Sequence, residues 1–526
     1  MTSFTPTRPA RIFGVFVVWI SLFAAASASS AATWAEDALL REAGFIVNCS
    51  FTEFAANHSA AQNTDNAYGA INVDRIYSSG PDWVNPGESA VAAIGLMAAA
   101  LQLKSLGDNI TTYDQVLNRF FQTWLLARKQ SVNTNVADAS YGGICARVYY
   151  DASGNWRSND NCATAVSGQM LCAMWKYYEY NAAVGNRVAA SNWLHQSWDT
   201  ARVAGDFIRR MTNATWKLVR GSPGGSDLWV SDSSMSVAAL RCLDQWAATA
   251  GKTKSFDYGA LADLIATGLQ QLKDNGIRKS FFRYRSSGGG GYTATYGDSI
   301  DQLCFLPYEA DALDPGDPFC RALSDWWTVG GGGISMTYPA ASTNDWRYFG
   351  AHWHYYFVAR PENDYLYPGP GLQLAKVEWK HAQRTGDPVT LDRAQKRLQW
   401  AEGAHYSGLW FGATSASEAG VANGLVDWRN ATNYASAAPT WQRFVDTSAY
   451  FIEAVLMIHF GVNTKYIPNS DVMIVRHGAD LQLTWKGTGT LQFANQVTGP
   501  WQDLMNSTSP YPATGLSTAQ FYRLKN

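Results

Sequence analysis

The chain has 526 residues, of which 47% are hydrophobic and 16% charged, and its formal net charge at pH 7 is −2. The charged fraction is too low for a disordered protein or a coiled coil, and the hydrophobic content is sufficient for a large buried core. Because the sequence holds no basic stripe, nucleic acid is excluded as an expected partner.

The N-terminus has the layout of a cleavable secretory signal. Arg8 and Arg11 precede an apolar run that begins at Ile12, and small residues follow at Ser27 and Ala28. The run is short for a membrane span, and we expect no later segment to cross a bilayer. We therefore expect a signal peptide over 1–28, no membrane association after cleavage, and a secreted protein, extracellular or, in a Gram-negative host, periplasmic.

Helix-length apolar segments then follow, mostly in closely spaced pairs. The pattern predicts helices over 34–47, 89–106 with 113–129, 163–184 with 189–211, 233–250 with 258–274, 298–311 with 318–327, 371–384 with 389–405, and 444–460. The connection within each pair is short, as between antiparallel neighbours. The last helix has no downstream mate, so we predict that it packs against the first and closes a ring.

Long loops rich in glycine and aromatic residues separate the pairs, over 141–156, 216–229, 281–296, 330–367 and 407–441. They recur at matching places in the cycle, so we expect them to share one face and to form the walls of one cleft. The chain holds 22 Trp, 26 Tyr and 23 Phe. Rings on loops stack on the apolar faces of sugars, which favours a saccharide substrate; alternatively, they pack the loops onto the helices.

After Phe460 the helical pattern ends. Alternating runs, such as Leu481, Leu483 and Trp485, are separated by glycines, which predicts a small all-β module over 472–526. The stretch 481–524 resembles the C-terminal β-modules of secreted bacterial enzymes, and a structural or anchoring role is the preferred interpretation over substrate binding.

The hairpin rhythm and loop placement of 34–461 resemble the six-hairpin, (α/α)6-toroid superfamily of carbohydrate-active enzymes. The resemblance implies a mainly α fold, a toroid of six helical hairpins, with the substrate lying across the funnel where the inner helices begin. It also implies glycoside hydrolysis or polysaccharide β-elimination. The adjacent-aspartate motif of the mannan-cleaving members is absent from this sequence, so their catalytic residues cannot be carried over.

Acidic residues stand at the starts of the predicted inner helices, namely Glu88, Asp160, Asp232, Asp298 with Asp301, and Asp446. A single residue of this kind is ordinarily a helix cap. Hydrolysis of a glycosidic bond, however, needs one protonated carboxyl group and one ionised carboxylate, and neighbouring carboxylates raise one another's pKa. We therefore predict that Asp232, Asp298 and Asp446 are catalytic and surround one cleft.

A second cluster lies in the segment 345–357, where His352 and His354 share one side of an extended chain. Such a set suits a lyase, a sugar subsite without chemistry, or the beginning of a metal site, although no third ligand stands out. We expect no metal or cofactor. The residues predicted to bind substrate are Asp301, Trp229, Tyr296, Trp346, His352, His354, Tyr355 and Trp441.

Seven cysteines in an exported chain are compatible with disulfides, and the odd count leaves at least one thiol. The pairs closest in sequence are Cys145 with Cys162 and Cys304 with Cys320. Cys172 and Cys242 lie on apolar helix faces, which favours buried thiols.

The sequence contains no phosphate-binding glycine loop, HExxH helix or GxSxG elbow. It therefore favours a monomeric, secreted glycoside hydrolase that cleaves a polysaccharide or oligosaccharide by carboxylate acid/base catalysis. Two alternatives stay open, a polysaccharide lyase acting on a uronate-containing glycan and a non-catalytic carbohydrate-binding toroid.

Overall fold

The computed structural model describes residues 34–51, 68–72, 83–128, 132–150, 156–158, 162–274, 282–286, 292–296, 308, 311, 315–329, 351–353, 365–402, 429–430, 445–468, 473–477, 480–484, 490–494, 502–504, 511–512 and 521–525. The expected signal peptide lies outside them. The chain divides into two units, Met1–Ile467 and Pro468–Asn526.

The first unit is built from helices that follow the predicted pairs. They are α1 (34–48), α2 (Pro86–Leu106), α3 (Thr111–Asn118), α4 (Thr164–Ala183), α5 (Arg187–Gln196), α6 (Trp198–Met211), α7 (Val230–Ala250), α8 (Tyr258–Asp274), α9 (Pro318–Val329), α10 (Pro368–Thr385), α11 (Pro388–Glu402) and α12 (Val445–Phe460). A ten-residue π-helix, Arg119–Arg128, continues α3. Of the predicted helix 298–311, only Tyr308 and Asp311 are described, and both are helical.

The prediction of one helix over 189–211 is wrong, because this segment forms two helices. α5 ends at Gln196, α6 begins at Trp198, and Ser197 stands between them. The fully buried Ser197 hydroxyl donates a hydrogen bond back to the carbonyl oxygen of Trp193. Back-bonding of this kind competes with the helical hydrogen-bond ladder and bends the chain.

Five of the described helices form an inner ring in which each packs on the next. α10 contacts α12, α12 contacts α2, α2 contacts α4, and α4 contacts α7. Burial on almost every side explains why the sequences of α2 and α12 are apolar almost all round. α2 alone, among the described helices, is long and apolar enough to cross a bilayer, and most of it is buried inside the ring.

The sixth inner position lies between α7 and α10 and is marked by Tyr308 and Asp311. The Asp311 carboxylate is 2.7 Å from Nζ of Lys380 in α10. The Tyr308 ring stacks on Tyr466 at a centroid distance of 3.9 Å, and the Tyr466 carbonyl oxygen accepts a hydrogen bond from the Cys242 thiol of α7. The first unit is an (α/α)6 toroid, which confirms the predicted fold class.

Outer helices pack behind the inner ring, α5 and α6 on α4, α8 on α7, and α11 on α10. The Trp34 ring of α1 contacts the rings of Phe451 and His459 in α12, at centroid distances of 6.3 and 5.4 Å. The prediction that the first helix packs against the last is therefore confirmed. This pairing buries the apolar face that α12 would otherwise expose, which is worth about 25 cal/mol for each Å².

Glycine at position 95 permits the close approach of α2 and α12. A Cβ at Gly95 would lie 2.7 Å from Cα of Ala449. Because that contact is with backbone, no side-chain rotation relieves it, and any larger residue would push the two helices apart.

The inner helices begin at one end of the ring, which we call the N-terminal face. The backbone N–H of Ala165 in the first turn of α4 donates to Asp232 in the first turn of α7, and Gly369 of α10 lies beside Thr447 of α12. Short antiparallel sheets, with strand orders β1-β2-β3, β4-β5-β6-β7-β8 and β11-β10-β9, precede these helices. The strands are β1 (Trp83–Val84), β2 (Val148–Tyr150), β3 (Trp156–Ser158), β4 (Thr212–Asn213), β5 (Leu218–Arg220), β6 (Leu228–Trp229), β7 (Phe282–Ser286), β8 (Tyr292–Tyr296), β9 (Ala351–Trp353), β10 (Tyr365–Tyr367) and β11 (Arg429–Asn430).

The second unit contains two three-stranded antiparallel sheets with orders β12-β13-β16 and β15-β14-β17. Its strands are β12 (Met473–His477), β13 (Asp480–Thr484), β14 (Thr490–Ala494), β15 (Gln502–Asp503), β16 (Tyr511–Pro512) and β17 (Phe521–Lys525). Leu491 and Ala494 of β14 are buried and supply part of its core.

The six described cysteines are buried thiols. Cys145 and Cys162, which the sequence pairs as disulfide candidates, lie opposite each other in an antiparallel bridge as thiols, packed with Phe207 and Met211. Cys172 and Cys242 are fully buried in α4 and α7, as predicted, and the other candidate pair includes Cys304, which is outside the described residues.

Candidate functional site

Asp232 lies in the first turn of α7 on the N-terminal face, and only 6% of its surface is exposed. Its Oδ1 accepts the backbone N–H of Ala165 at 3.0 Å, and its Oδ2 accepts the Ser231 hydroxyl at 3.3 Å. Ala165 belongs to the first turn of α4. The side chain therefore caps the neighbouring inner helix and joins two helix starts.

Burial raises the pKa of Asp232 to about 6, although the hydrogen bonds it accepts act in the opposite direction. A carboxylate that only capped a helix would have its pKa lowered by the N–H groups and the helix dipole. Loss of solvation outweighs both effects at this position. A carboxyl group with such a pKa keeps its proton in slightly acidic solution and can donate it there.

Asp446 lies in the first turn of α12 on the same face and is partly exposed. Its Oδ1 accepts the backbone N–H of Thr447 at 2.7 Å. Three steps around the ring, through α4 and α2, separate α12 from α7. With about 8–10 Å between neighbouring axes, opposite axes in a six-membered ring are about 16–20 Å apart. Asp232 and Asp446 therefore stand at helix starts on opposite sides of the ring.

Asp298 and Asp301 lie outside the described residues, so the prediction that Asp232, Asp298 and Asp446 surround one cleft stays a prediction. The residues that follow them in the same predicted helix, Tyr308 and Asp311, lie between α7 and α10.

Glu88 belongs to a helix cap. The Asn85 side chain accepts the backbone N–H of Gly87 at 3.0 Å and donates from Nδ2 to Oε1 of Glu88 at 2.7 Å. This reciprocal arrangement satisfies donors at the start of α2. Asp160, the corresponding residue before α4, lies outside the described residues.

Among the predicted substrate contacts, Trp229 is the one whose side chain is described. It immediately precedes α7, is half-buried, and lies against Gly221, where a Cβ would be 3.0 Å from the indole nitrogen. The backbones of Tyr296 and His352 lie in β8 and β9. Trp346, His354, Tyr355 and Trp441 are outside the described residues.

A buried polar cluster lies at the ring centre and was not predicted from the sequence. Nζ of Lys376 in α10 pairs with the carboxylate of Glu453 in α12, and both side chains are at most 2% exposed. The Tyr466 hydroxyl accepts a hydrogen bond from Lys376 at 2.8 Å and donates one to Glu453 at 2.7 Å. The Tyr466 backbone N–H donates to Asp311 at 2.7 Å. The signal that could have revealed this cluster is Glu453, the one charged residue in the apolar core of its helix.

This Tyr466 cluster, comprising Asp311, Lys376, Glu453 and Tyr466, fills the interior of the ring. Lys376 is the ninth residue of α10, about 12 Å along the axis from the helix start, and burial lowers its pKa to about 8. Tyr466 and Ile467 together touch α4, α7, α10 and α12 through hydrogen bonds. The cluster thus closes the ring centre below the N-terminal face.

In the part of the chain that the structure describes, no group of three His, Cys, Asp or Glu side chains is placed to hold a metal ion. The idea of a metal site at His352 and His354 stays untested, because neither side chain is described.

No family model matches the chain, and no curated protein does. Solved structures with a related arrangement include D-mannose isomerase, at 12% identity and a TM-score of 0.46, covering 82% of this chain and 98% of that chain. The cellulase Cel9M of C. cellulolyticum has 13% identity and a TM-score of 0.45, with 81% and 98% covered. An unsaturated glucuronyl hydrolase specific for heparin has 9% identity and a TM-score of 0.46, with 84% and 99% covered. Likeness at this level assigns neither a family nor a reaction.

Proposed function

We propose that this protein is a secreted glycoside hydrolase that cleaves a polysaccharide or oligosaccharide. The observation that carries the proposal is Asp232, a buried carboxyl group on the N-terminal face whose pKa burial raises to about 6. Hydrolysis of a glycosidic bond requires a carboxyl group that holds its proton until the leaving oxygen needs it. The aromatic residues that the sequence concentrates in the predicted loops support the proposal, because sugar rings stack on such side chains.

In this proposal Asp232 is the general acid. It donates its proton to the glycosidic oxygen as the bond to the anomeric carbon breaks. A second, ionised carboxylate either attacks the anomeric carbon or removes a proton from the attacking water, so that one water molecule is consumed for each bond cleaved.

Asp298 is the favoured second carboxylate, because Tyr308 and Asp311, which follow it in the same predicted helix, lie between α7 and α10. Asp446, across the ring from Asp232, is the alternative. Asp301 and Trp229 are proposed to contact the sugar. The signal peptide predicted over 1–28 supports export, and we propose that the mature protein acts as a monomer without membrane association.

The products formed from a panel of polysaccharides test the reaction class. Mass spectrometry should show fragments that have gained water, with one new reducing end for each bond cleaved. Fragments without added water that absorb in the ultraviolet would indicate a lyase, since β-elimination leaves an unsaturated uronate. A protein that binds a glycan and releases no fragment would be a binding toroid.

Substitutions then test the assigned carboxyl groups. Asp232→Asn and Asp298→Asn should each lower kcat by about 100-fold or more, because an amide neither donates nor accepts the required proton. The matched control is Asp199→Asn, which removes an exposed carboxylate from the first turn of an outer helix. If Asp298→Asn retains normal turnover, the role of second carboxylate passes to Asp446.

A further inference from the structure

A cavity of about 330 Å³ lies on the outer wall of the ring, between α3 with its π-helical continuation and the α4–α5 hairpin. Its α4 residues, Tyr177, Tyr180 and Asn181, belong to the last two turns of that helix. They lie about 18 Å or more along the helix axis from Ala165 at the N-terminal face. The cavity is therefore separate from the proposed catalytic face, and its volume is typical of small-molecule sites.

The lining of this cavity is polar and almost uncharged. Nine of its ten residues are polar, and six carry side-chain amides, namely Asn118, Gln122, Asn181, Asn186, Asn192 and Gln196. Each amide offers both donors and an acceptor, which matches the double role of a sugar hydroxyl.

The charge and polarity of the lining indicate which class of ligand the cavity can bind. Asp114 is the one acidic residue among those lining the cavity, and it accepts the Tyr180 hydroxyl. The lining contains no Lys, Arg or His, so an anionic ligand would meet no counter-charge. Its one aliphatic residue, Ala189, gives no surface for a lipid chain. A neutral polyhydroxy molecule suits these groups best.

One wall of the cavity has an unusual backbone conformation. Gln122 lies within the π-helix Arg119–Arg128, and π-helical segments are rare and often found at functional sites. The Asn181 side chain donates from Nδ2 to the backbone carbonyl oxygen of Tyr177 at 2.8 Å, and the Tyr177 ring stacks on Phe121 at a centroid distance of 4.3 Å. The inner wall of the cavity is thus fixed before any ligand arrives.

We propose that this cavity is a second carbohydrate site that binds a segment of a neutral glycan. The exposed amides of Asn186, Asn192 and Gln196 hydrogen bond with the sugar at the mouth of the cavity, and the Gln122 amide contacts the sugar from the opposite wall. The choice of a glycan as the ligand rests on the proposed function, whereas the location of the cavity does not. A polysaccharide chain held on the outer wall remains attached between cleavage events at the N-terminal face.

The test uses the full chain carrying Asp232→Asn, so that the probes are not consumed. Cellohexaose, mannohexaose and maltohexaose are titrated by calorimetry, and amide hydrogen exchange is followed over 114–122 and 186–196. We expect one hexasaccharide to protect both segments. In the same background, the double substitution Asn192→Leu with Gln196→Leu, both exposed positions on α5, should raise the Kd for this site at least tenfold and abolish the protection.

Gln115→Leu is the matched control, since it removes an exposed amide from α3 outside the cavity and should leave Kd and protection unchanged. If the double variant does not fold, Ala189→Trp fills the mouth from an exposed position and should block binding equally. An unchanged Kd in the variants that fold overturns the proposal. So does equal binding of trigalacturonate, an anionic sugar.

The two proposals fail in different ways. Hydrolysis by the unsubstituted chain, without protection of 114–122 and 186–196 by any hexasaccharide, overturns the second site alone. Protection of both segments, without hydrolysis of any polysaccharide, supports the second site and overturns the hydrolase.

Discussion

The backbone N–H of Ala165 and Oδ1 of Asp232 are 3.0 Å apart and join the starts of two neighbouring inner helices. An asparagine at position 232 would keep an oxygen acceptor at this place, but it would not titrate. The structural role and the proposed chemical role of this residue can therefore be separated by one substitution.

The first prediction concerns stability and pH. The folded pKa of Asp232, about 6, lies above its ordinary value of 3.8, so the folded state keeps a proton that the unfolded chain releases between those values. The stabilisation that this proton gives to the folded state is fully present below pH 3.8 and is lost as pH rises through about 6. The free energy of unfolding falls by about 3 kcal/mol in total. Asp232→Asn should therefore be more stable than the original chain at pH 7.5 and nearly equal to it at pH 4. Thermal unfolding at both values measures this, and a Tm difference that does not change with pH contradicts it.

The second prediction concerns the rate. If Asp232 is the general acid, kcat/KM on a neutral glycan should fall above about pH 6, approaching a tenfold loss for each further pH unit, because the proton is gone. The profile of kcat/KM against pH measures the pKa of the free enzyme. Asp199→Asn should show the same descending limb, whereas a profile that is flat from pH 5 to 8 would remove Asp232 from the acid role.

The third prediction concerns the buried pair at the ring centre. Lys376→Met leaves the Glu453 carboxylate buried without its cation, which should cost about 3–5 kcal/mol. The double variant Lys376→Met with Glu453→Leu should recover most of that loss. Lys396→Met, which breaks the exposed pair with Asp392, should cost less than about 1 kcal/mol. Denaturant unfolding measures all three, and a double variant no better than the single one would show that the charges do not compensate each other.

The fourth prediction concerns the contact of α2 with α12. Gly95→Ala should destabilise the ring by about 1–3 kcal/mol, because its Cβ would meet the Ala449 backbone at 2.7 Å. Gly44→Ala in α1 is the control, since a Cβ there meets no atom within 4 Å. That substitution should stabilise the helix by about 0.5–1 kcal/mol. Opposite shifts of Tm in the two variants are expected, and a stabilised Gly95→Ala would show that the helices separate easily.

Local patterns were enough to predict most helices, because an outer helix shows its buried stripe in the sequence and a fully buried inner helix shows an apolar run. The segment 258–274 was predicted with the bounds that the structure has. The break at Ser197 was not, because the apolar pattern continues on both sides of it and a hydrogen bond decides the bend.

The position of Asp232 at a helix start could be predicted from the sequence, whereas its pKa could not. Its burial and its bond to Ala165 depend on how α4 and α7 pack. The Tyr466 cluster was missed for the same reason, since Asp311, Lys376 and Glu453 meet only when three inner positions of the ring come together.

The pairing of α1 with α12 makes completion of the ring a late event in folding. The helix next to the predicted signal peptide finds its partner only after the last inner helix has been made, more than 380 residues later by the bounds of the two helices, 34–48 and Val445–Phe460. Contacts of such high sequence separation form slowly, and the unpaired α1 exposes apolar surface until it packs against α12. A circular permutant that joins the chain ends of this unit and opens it between two hairpins would place α1 and α12 next to each other in sequence. Such a permutant should close its ring faster and aggregate less during refolding.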